Sequence, residues 1–550
     1  MEHFALAHPK ILEKVDAPDP LMMALQKKGI EHEEQILKNF IERQYKVVQI
    51  EQTKRSVENT IAAMQSGADV IYQAALSKAP FKGYADFLVR VDGQSGLGDY
   101  YYEVWDTKLS KIVKPYFIVQ LCCYTDMLEA LQERRPDNIV VVVGTGERKQ
   151  FATHDYFYYY LNLKRRFLDM HQHFSSDNCP NPADSSTWGR WSNYAQNRLL
   201  EVDHLSQIAT ITRNQIKKLN QAGIHTMQEM VETPLECIKG MHVDVYARLK
   251  DQAKIQQESR GLDVPRYQIL PHDAERKKGL SLLPPASSLD IYFDIEGFPL
   301  EEGGLEYLWG AAFFDEGVRH YKDFWAHDEE QEKATFQSFI IWVFDRWQRD
   351  PNMHIYHYAP YEITACRKLM GRHGTCEYEV DQLLRNEVFV DLYKVVKGSL
   401  LLGEPRYSIK NVEHLYRGKR DTEVGSGSDS VVVYEHWREM PDGDTWETSK
   451  ILNNIRDYNI DDCNSTQELV DWLRERQQEG EIAYLGKTEI IPSPDDEKSP
   501  EYALLREQLF EKSNTLSTQG AEAEAKIARL FAWSLEFHQR EKNPMYWRLL

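Results

Sequence analysis

The sequence predicts a multidomain α/β protein, with two mixed α/β blocks, a helical block between them and a helical C-terminal tail. Three observations carry this. The 550 residues exceed what one hydrophobic core organises, so two to four domains are expected. Runs rich in β-branched and aromatic residues fall into two clusters, each interleaved with helical periodicity. Four stretches of turn-forming composition punctuate the chain: "SSDNCPNPADSST" (175–187), "LPPASS" (283–288), "GSGSDS" (425–430) and "IPSPDDEKSP" (491–500). The third is expected to be a flexible loop and the fourth a linker. No internal repeat of solenoid period is present.

The first block, residues 1–175, opens with the helical "LMMALQKKGIEHEEQILKNFIERQ". Strands are expected at "YKVVQI", "ADFLVRV", "YYYEVWDTK" and "NIVVVVG", with a helix at "PYFIVQLCCYTDMLEAL" between the last two. Residues 200–262 read as helical. The third block, 286–476, returns to strands at "LDIYFDIEG", "EYLWGAAFF" and "HIYHY", and closes on the helix "NNIRDYNIDDCNSTQELVDWLRER". Residues 501–550 are helical.

Hydrophobic content of 42% and aromatic content of 11% are those of a core-forming protein. No apolar run reaches the roughly 18 residues of a membrane span, so no membrane partner is expected. The segment "MEHFALAHPKILEK" lacks the apolar core of a signal peptide, and a cytoplasmic location is expected. The seven cysteines (122, 123, 179, 237, 366, 376, 463) are scattered and include no C-x-x-C pair, which argues against a disulfide framework or a structural zinc site. A net charge of −20 weighs against a general nucleic-acid coat protein, but not against metal-binding carboxylates with local basic patches.

In the first block, Asp106 and Lys108 are two apart on a strand and share a face, whereas Glu103 points the other way. Asp86, in "KGYADFL", follows Gly83 on a neighbouring strand, and Gln120 and Tyr124 are one helical turn apart. Two carboxylates and a lysine meeting at one point suit metal-assisted phosphodiester hydrolysis: oxygen ligands hold Mg or Mn, and the lysine orients water or neutralises charge. The plain alternative is an Asp–Lys ion pair on a solvated strand face.

Taken in order, "GIEHEEQIL", "GYADF", "WDTK" and "QLCCY" resemble the G-x-x-H, G-x-x-D, D-x-K and Q-x-x-x-Y series of the RecB-like PD-(D/E)XK nucleases. The resemblance implies a restriction-endonuclease-like core, with His32, Asp86 and Asp106 as metal ligands and Lys108 as the catalytic lysine. Gln120 and Tyr124 would support the site or touch DNA. Many relatives hold an iron–sulfur cluster on cysteines flanking the core; here the later flank offers only Cys179, and no cluster is expected.

In "LDIYFDIEGF", Ile291, Phe293 and Ile295 face one way and Asp294 and Glu296 the other. Two neighbouring acids on one face repel unless a cation lies between them. Downstream, Tyr458 and Asp462 share a helix face, and Glu362 follows the strand-like run in "HIYHYAPYE". The alternative is a pair of unrelated acidic surface patches. The three motifs in order resemble the tyrosine subtype of the DEDD exonucleases of ribonuclease-H fold, nearest the YprB-like group. The middle motif departs, reading H-x-x-x-Y-E from His357 to Glu362 where the family has N-x-x-x-[FY]-D. The resemblance implies that Asp294, Glu296, Glu362 and Asp462 hold two metals while Tyr458 orients the attacking water.

Between the blocks, "ITRNQIKKLNQAGIHTMQEMVE" and "IKGMHVDVYARLKDQAK" resemble a helix-hairpin-helix unit. Gly223 and Gly240 would open turns whose N–H groups meet phosphates, with Arg213, Lys217, Lys218, Lys239 and Arg248 supplying charge. The alternative is a helical spacer. Over nearly the whole chain the blocks resemble bacterial RecB-like nucleases with a C-terminal ribonuclease-H-like domain, some fused to a superfamily I helicase. This implies a metal-dependent nuclease acting on DNA, in repair or processing. The rival readings are a nucleic-acid-binding adaptor with degenerate sites and an RNA exonuclease. Leu530, Phe531, Trp533, Leu535 and Phe537, followed by Met545, Tyr546, Trp547, Leu549 and Leu550, give the tail a large apolar content. Residues 501–550 are expected to be a junction leading to a helicase domain or subunit. A helix folded back on the preceding domain is the alternative.

Overall fold

The computed structural model describes the chain except residues 52, 54, 55, 186, 273–275, 302, 418–426, 487–499, 536 and 538–550. Two compact units result: Met1–Arg198 with Pro299–Gly304, and Leu199–Phe298 with Leu305–Leu550.

In the first unit the strand-like runs pair into a six-stranded mixed sheet of order β1-β2-β3-β4-β5-β6. Its strands are β1 (Val47–Gln49), β2 (Val70–Lys78), β3 (Phe81–Ser95), β4 (Gly98–Thr107), β5 (Asn138–Val142) and β6 (Arg148–Ala152). The β1–β2 and β4–β5 pairs are parallel and the others antiparallel. The four expected runs each contain a strand; β2 and β6 are additions. β2 carries the helix-favouring "QAAL", but Ala74 and Ala75 are buried between layers, and burial overrides propensity there.

Helix α1 (Pro20–Glu42) starts at Asp19, whose side chain accepts from Leu21 N at 2.9 Å, with proline at its first position. It lays Ile36, Leu37 and Phe40 on Val70, Phe87, Val89 and Val140. On the other face α2 (Pro115–Gln132) and α3 (Thr153–Gln172) bring Leu121, Leu128 and Phe157 against Ile71, Leu88, Val104 and Ile139. At about 1.5–3 kcal/mol per buried large aliphatic or aromatic side chain, these two layers fix the sheet against which the site residues are set.

The second unit begins with α4 (Arg213–Gln221), α5 (Met227–Glu232) and α6 (Val243–Ser259). Thr212 with Gln215, and Thr226 with Glu229, form reciprocal capping boxes. Leu205, Leu219, Ile224, Met230, Tyr246 and Leu249 make a small core of their own.

A five-stranded sheet follows, of order β10-β9-β8-β11-β12, from β8 (Ile291–Phe298), β9 (Leu305–Asp315), β10 (Val318–Trp325), β11 (Ile355–His357) and β12 (Phe389–Asp391). Central β8 pairs antiparallel with β9 and parallel with β11. Its alternation is the expected one: Ile291, Phe293 and Ile295 enter a core with Phe336, Phe339 and Val343 of α7 (Glu329–Arg349). Beyond β11 lie α8 (Tyr361–His373), the single turn α9 (Ile409–Val412), α10 (Gly427–Glu439) and the long α11 (Lys450–Glu479).

Ser449 caps α11 by accepting from Leu452 N at 3.0 Å. The "GSGSDS" stretch departs from the loop expected of it. Gly427–Ser430 form the first turn of α10, because Val431, Tyr434 and Trp437 bury one face of that helix; residues 425 and 426 lie outside the described residues.

A two-stranded sheet joins β7 (Tyr267–Ile269) to β13 (Leu400–Leu402). Gln252 donates to the Leu402 carbonyl at 2.7 Å and Arg248 to the Lys397 carbonyl at 2.8 Å, so the helical segment is bonded to the block that follows it.

At the end of the described chain, α12 (Pro500–Thr518) and α13 (Glu522–Ser534) form a helical hairpin. The large apolar side chains do not supply its buried face. That face is Ala525, Ala528 and Ala532, small enough for close helix approach, with Ser513 Oγ donating to the Ala525 carbonyl at 2.8 Å. Leu530 is 60% exposed, Phe531 61% and Phe537 54%, while the Trp533 ring meets Phe510 at 5.2 Å. Met545, Tyr546, Trp547, Leu549 and Leu550 lie outside the described residues. Among the described residues no helix is long and apolar enough to cross a membrane.

Candidate active site

Asp294 and Glu296 project from the face of β8 that receives α11, and Asp462 comes from α11 itself. One ligand oxygen from each of the three lies within 4.8 Å of the other two. Among the described residues no other three histidine, cysteine or carboxylate side chains gather this closely. Three carboxylates at such separations are costly without compensation, and the surroundings show how it is supplied.

Glu296 is buried, and burial, followed by the charge of Asp462, pushes its carboxyl up to about 8; hydrogen bonds from Ser430 and Asn459 and the charge of Lys410 act against that rise. Ser430 Oγ, which receives the Tyr307 hydroxyl at 3.3 Å, donates to Glu296 Oε2 at 2.7 Å. Asn459 Nδ2 donates to Asp294 Oδ2 at 2.8 Å, and its Oδ1 accepts from Tyr321 at 2.8 Å. Tyr458, one helical turn before Asp462, is buried with its ring 5.5 Å from Lys410 Nζ. An all-oxygen donor set with a fixed second layer suits a hard divalent cation such as Mg or Mn.

Glu362 stands outside this group. It occupies the first turn of α8 and is 3% exposed, with Oε2 3.2 Å from His357 Nδ1. The same Nδ1 lies 2.7 Å from the Ala359 carbonyl, which only accepts, so Nδ1 carries the proton and is shared between the two. The Glu362 carboxylate thus meets the end of β11, where His357 stands. Ahead of it, Tyr361 donates to Glu306 at 2.7 Å across Gly297, where a Cβ would stand 2.2 Å from the phenol oxygen.

In the first unit, Asp106, 1% exposed on β4, forms an ion pair with Lys108. Asp86 on β3 accepts from the Thr107 amide and hydroxyl, both at 2.8 Å. Burial, then the charge of Asp86, pushes Asp106 up to about 7, against the pull of Lys108. Burial also raises Asp86, with Lys108 and His32 acting in the lowering sense. Gln120 donates to the Tyr124 hydroxyl at 3.0 Å, and the Tyr124 ring packs on Gly83, where a Cβ would fall 2.5 Å from it. Asp86, Asp106, Lys108, Gln120 and Tyr124 therefore share one neighbourhood. Glu103 points elsewhere as expected, accepting from Asn138 N at 3.0 Å. His32 lies close enough to influence Asp86 and has a buried Nε2 with no hydrogen-bond partner, yet it does not join both aspartates within the distance that defines the other centre.

In the helical segment Gly223 and Gly240 adopt φ of +84° and +81°, the left-handed turns expected of them. Lys218 donates to the Gly240 carbonyl and Arg248 to that of Lys397, so both close the fold. Arg213, Lys217 and Lys239 are exposed.

Ser430, Asn459 and Gly310 at the second-unit centre, and Glu33 and Gln73 near Asp106, were not singled out by sequence. Gln73 donates to Glu33 and has φ of +60° within β2, where pairing with β3 skips one residue. A polar residue beside a motif position, Asn459 after Tyr458 and Glu33 after His32, is the only signal the sequence offered.

Residues 291–474 match the family RNase_H_2 of the RNase H superfamily. No curated protein and no solved structure matches the chain. The second unit thus contains an RNase H-like domain, of a superfamily of nuclease-type hydrolases, with an acidic triad shared between its central strand and α11.

Proposed function

We propose that the protein is a metal-dependent nuclease that hydrolyses phosphodiester bonds at the Asp294–Glu296–Asp462 centre. The observation that carries this reading is the convergence of those three carboxylates inside the matched domain. Mg or Mn bound there would activate water and offset charge on the phosphate. Asn459 and Ser430 hold Asp294 and Glu296 in place by donating to an oxygen of each. Tyr458 stands one turn before Asp462, where its phenol can orient the attacking water. Glu362, tied to His357, acts through that contact in setting the edge of the site.

A second reading concerns the first unit. The shared neighbourhood of Asp86, Asp106, Lys108, Gln120 and Tyr124 supports a RecB-like nuclease site, in which Lys108 neutralises charge at Asp106. His32, with its orphaned Nε2, would complete its ligands. Two such sites on one chain, with the exposed Arg213, Lys217 and Lys239 between them in sequence, favour DNA processing or repair.

The test is hydrolysis of DNA and RNA oligonucleotides with Mg²⁺ or Mn²⁺ by the wild type, Asp294→Asn and Asp106→Asn. Loss of one cleavage activity in each variant supports two active sites. Metal-dependent cleavage unchanged in Asp294→Asn would refute the main reading. Binding without cleavage would favour the adaptor, and cleavage of RNA alone the RNA exonuclease.

A further inference from the structure

The acidic centre has a cation built against it. Lys410 belongs to α9, a single turn that the surrounding residues hold firmly. Tyr358 donates to the Tyr407 carbonyl at 2.5 Å; Tyr407 donates to Gln252 at 2.7 Å and also lies 3.0 Å from the Leu400 carbonyl. Asn411 donates to Glu404 at 2.9 Å, and Val412 is fully buried. From this anchored turn Lys410 reaches inward, half-buried, with Nζ 5.5 Å from the centre of the Tyr458 ring and its charge acting on Glu296.

The charge balance says why a cation is useful there. Three ionised carboxylates around one divalent ion leave a net negative charge. An incoming phosphodiester adds another, and hydrolysis concentrates still more on its oxygens. A fixed ammonium on the tyrosine side of the triad opposes that accumulation.

We propose that Lys410 is a further functional residue of this centre: its ammonium, held 5.5 Å from the centre of the Tyr458 ring, receives the phosphodiester and opposes the charge that develops during its hydrolysis. The proposal rests on the reading of Asp294, Glu296 and Asp462 as a hydrolytic metal centre, and its test is arranged to fail separately from that reading. The substrate class is a nucleic-acid phosphodiester, recognised through its phosphate rather than its base.

The test compares the wild type, Lys410→Met, Lys410→Arg and Asp294→Asn in the full chain. Turnover is followed on a single-stranded oligonucleotide with Mn²⁺, and Mn²⁺ binding is followed by the electron paramagnetic resonance of the free ion, which needs no turnover. In Lys410→Met, kcat should fall on the order of 100-fold, the loss typical of removing one preorganised charge-stabilising group. Mn²⁺ should bind as tightly or more tightly, because a neighbouring positive charge has been removed. Lys410→Arg should recover at least part of the turnover. A loss of kcat accompanied by weaker Mn²⁺ binding in Lys410→Met would mark the lysine as structural and overturn the proposal, as would unchanged kcat. Absence of Mn²⁺ binding that depends on Asp294 would instead overturn the underlying reading.

Discussion

Asn459 reaches Asp294 across the backbone of Gly310: its Nδ2 donates to Asp294 Oδ2 at 2.8 Å, and a Cβ at residue 310 would stand 1.6 Å from its Oδ1. The ligand geometry therefore depends on a helix residue and on the absence of a side chain on the facing strand.

Asn459→Ala removes a hydrogen bond to a charged group and should cost about 1.5–3 kcal/mol. Gly310→Ala forces Asn459 aside and should cost about 1–3 kcal/mol. Urea unfolding measures both. Each variant should also lose most of the rise in melting temperature that Mn²⁺ gives the wild type. A full Mn²⁺ effect in Asn459→Ala would show that Asp294 needs no such support.

Tyr458→Phe keeps the ring that faces Lys410 and removes the phenol. Turnover should fall by roughly 10²-fold, the lower end for a group that positions or transfers a proton, while Mn²⁺ affinity stays unchanged. Equal turnover in the variant would exclude the phenol from the reaction.

The metal-free protein should become less stable as pH rises. Glu296 is pushed up to about 8 and Asp106 to about 7, from ordinary values of 4.5 and 3.8. A carboxyl raised in the folded chain contributes stability that is present below its unfolded pKa and is lost as pH rises through the folded value. Between about pH 5 and pH 8 the melting temperature in chelator should therefore fall. Because metal and proton compete for the same oxygens, Mn²⁺ should raise the melting temperature more at pH 8 than at pH 6. An equal rise at both would contradict the assignment.

Gly83→Ala places a methyl group 2.5 Å from the Tyr124 ring. It should destabilise the first unit by about 1–3 kcal/mol and weaken any cleavage that depends on Asp106, while cleavage that depends on Asp294 persists. Loss of both activities would mean that the two centres do not work independently.

Much of the second-unit centre was legible because it obeys two short periods. Alternation along β8 put Asp294 and Glu296 on one face, and helical spacing put Tyr458 and Asp462 on another. Glu362 shows the limit of such reasoning. Its place after a strand was readable, but the direction of its carboxylate is set by His357, whose protonated Nδ1 turns it away. Ser430 lay within a glycine- and serine-rich stretch that reads as a loop, and only the burial of Tyr434 and Trp437 makes it helical. In the first unit, motif order pointed to Asp86, Asp106 and Lys108, which lie near one another. The positive φ of Gln73, which stands opposite Asp86 in the register, leaves no mark in composition.

The pairing of β7 with β13 has a consequence for the order in which the protein can be made. Tyr267–Ile269 leave the ribosome well before Leu400–Leu402, so the nascent helical segment carries an unpaired strand until most of the RNase H-like block has been synthesised. Gln252 and Arg248 likewise wait for the carbonyls of Leu402 and Lys397. The helical segment has a core of its own to fold around, but its strand pairing and these two hydrogen bonds are completed only once residues 397–402 have emerged.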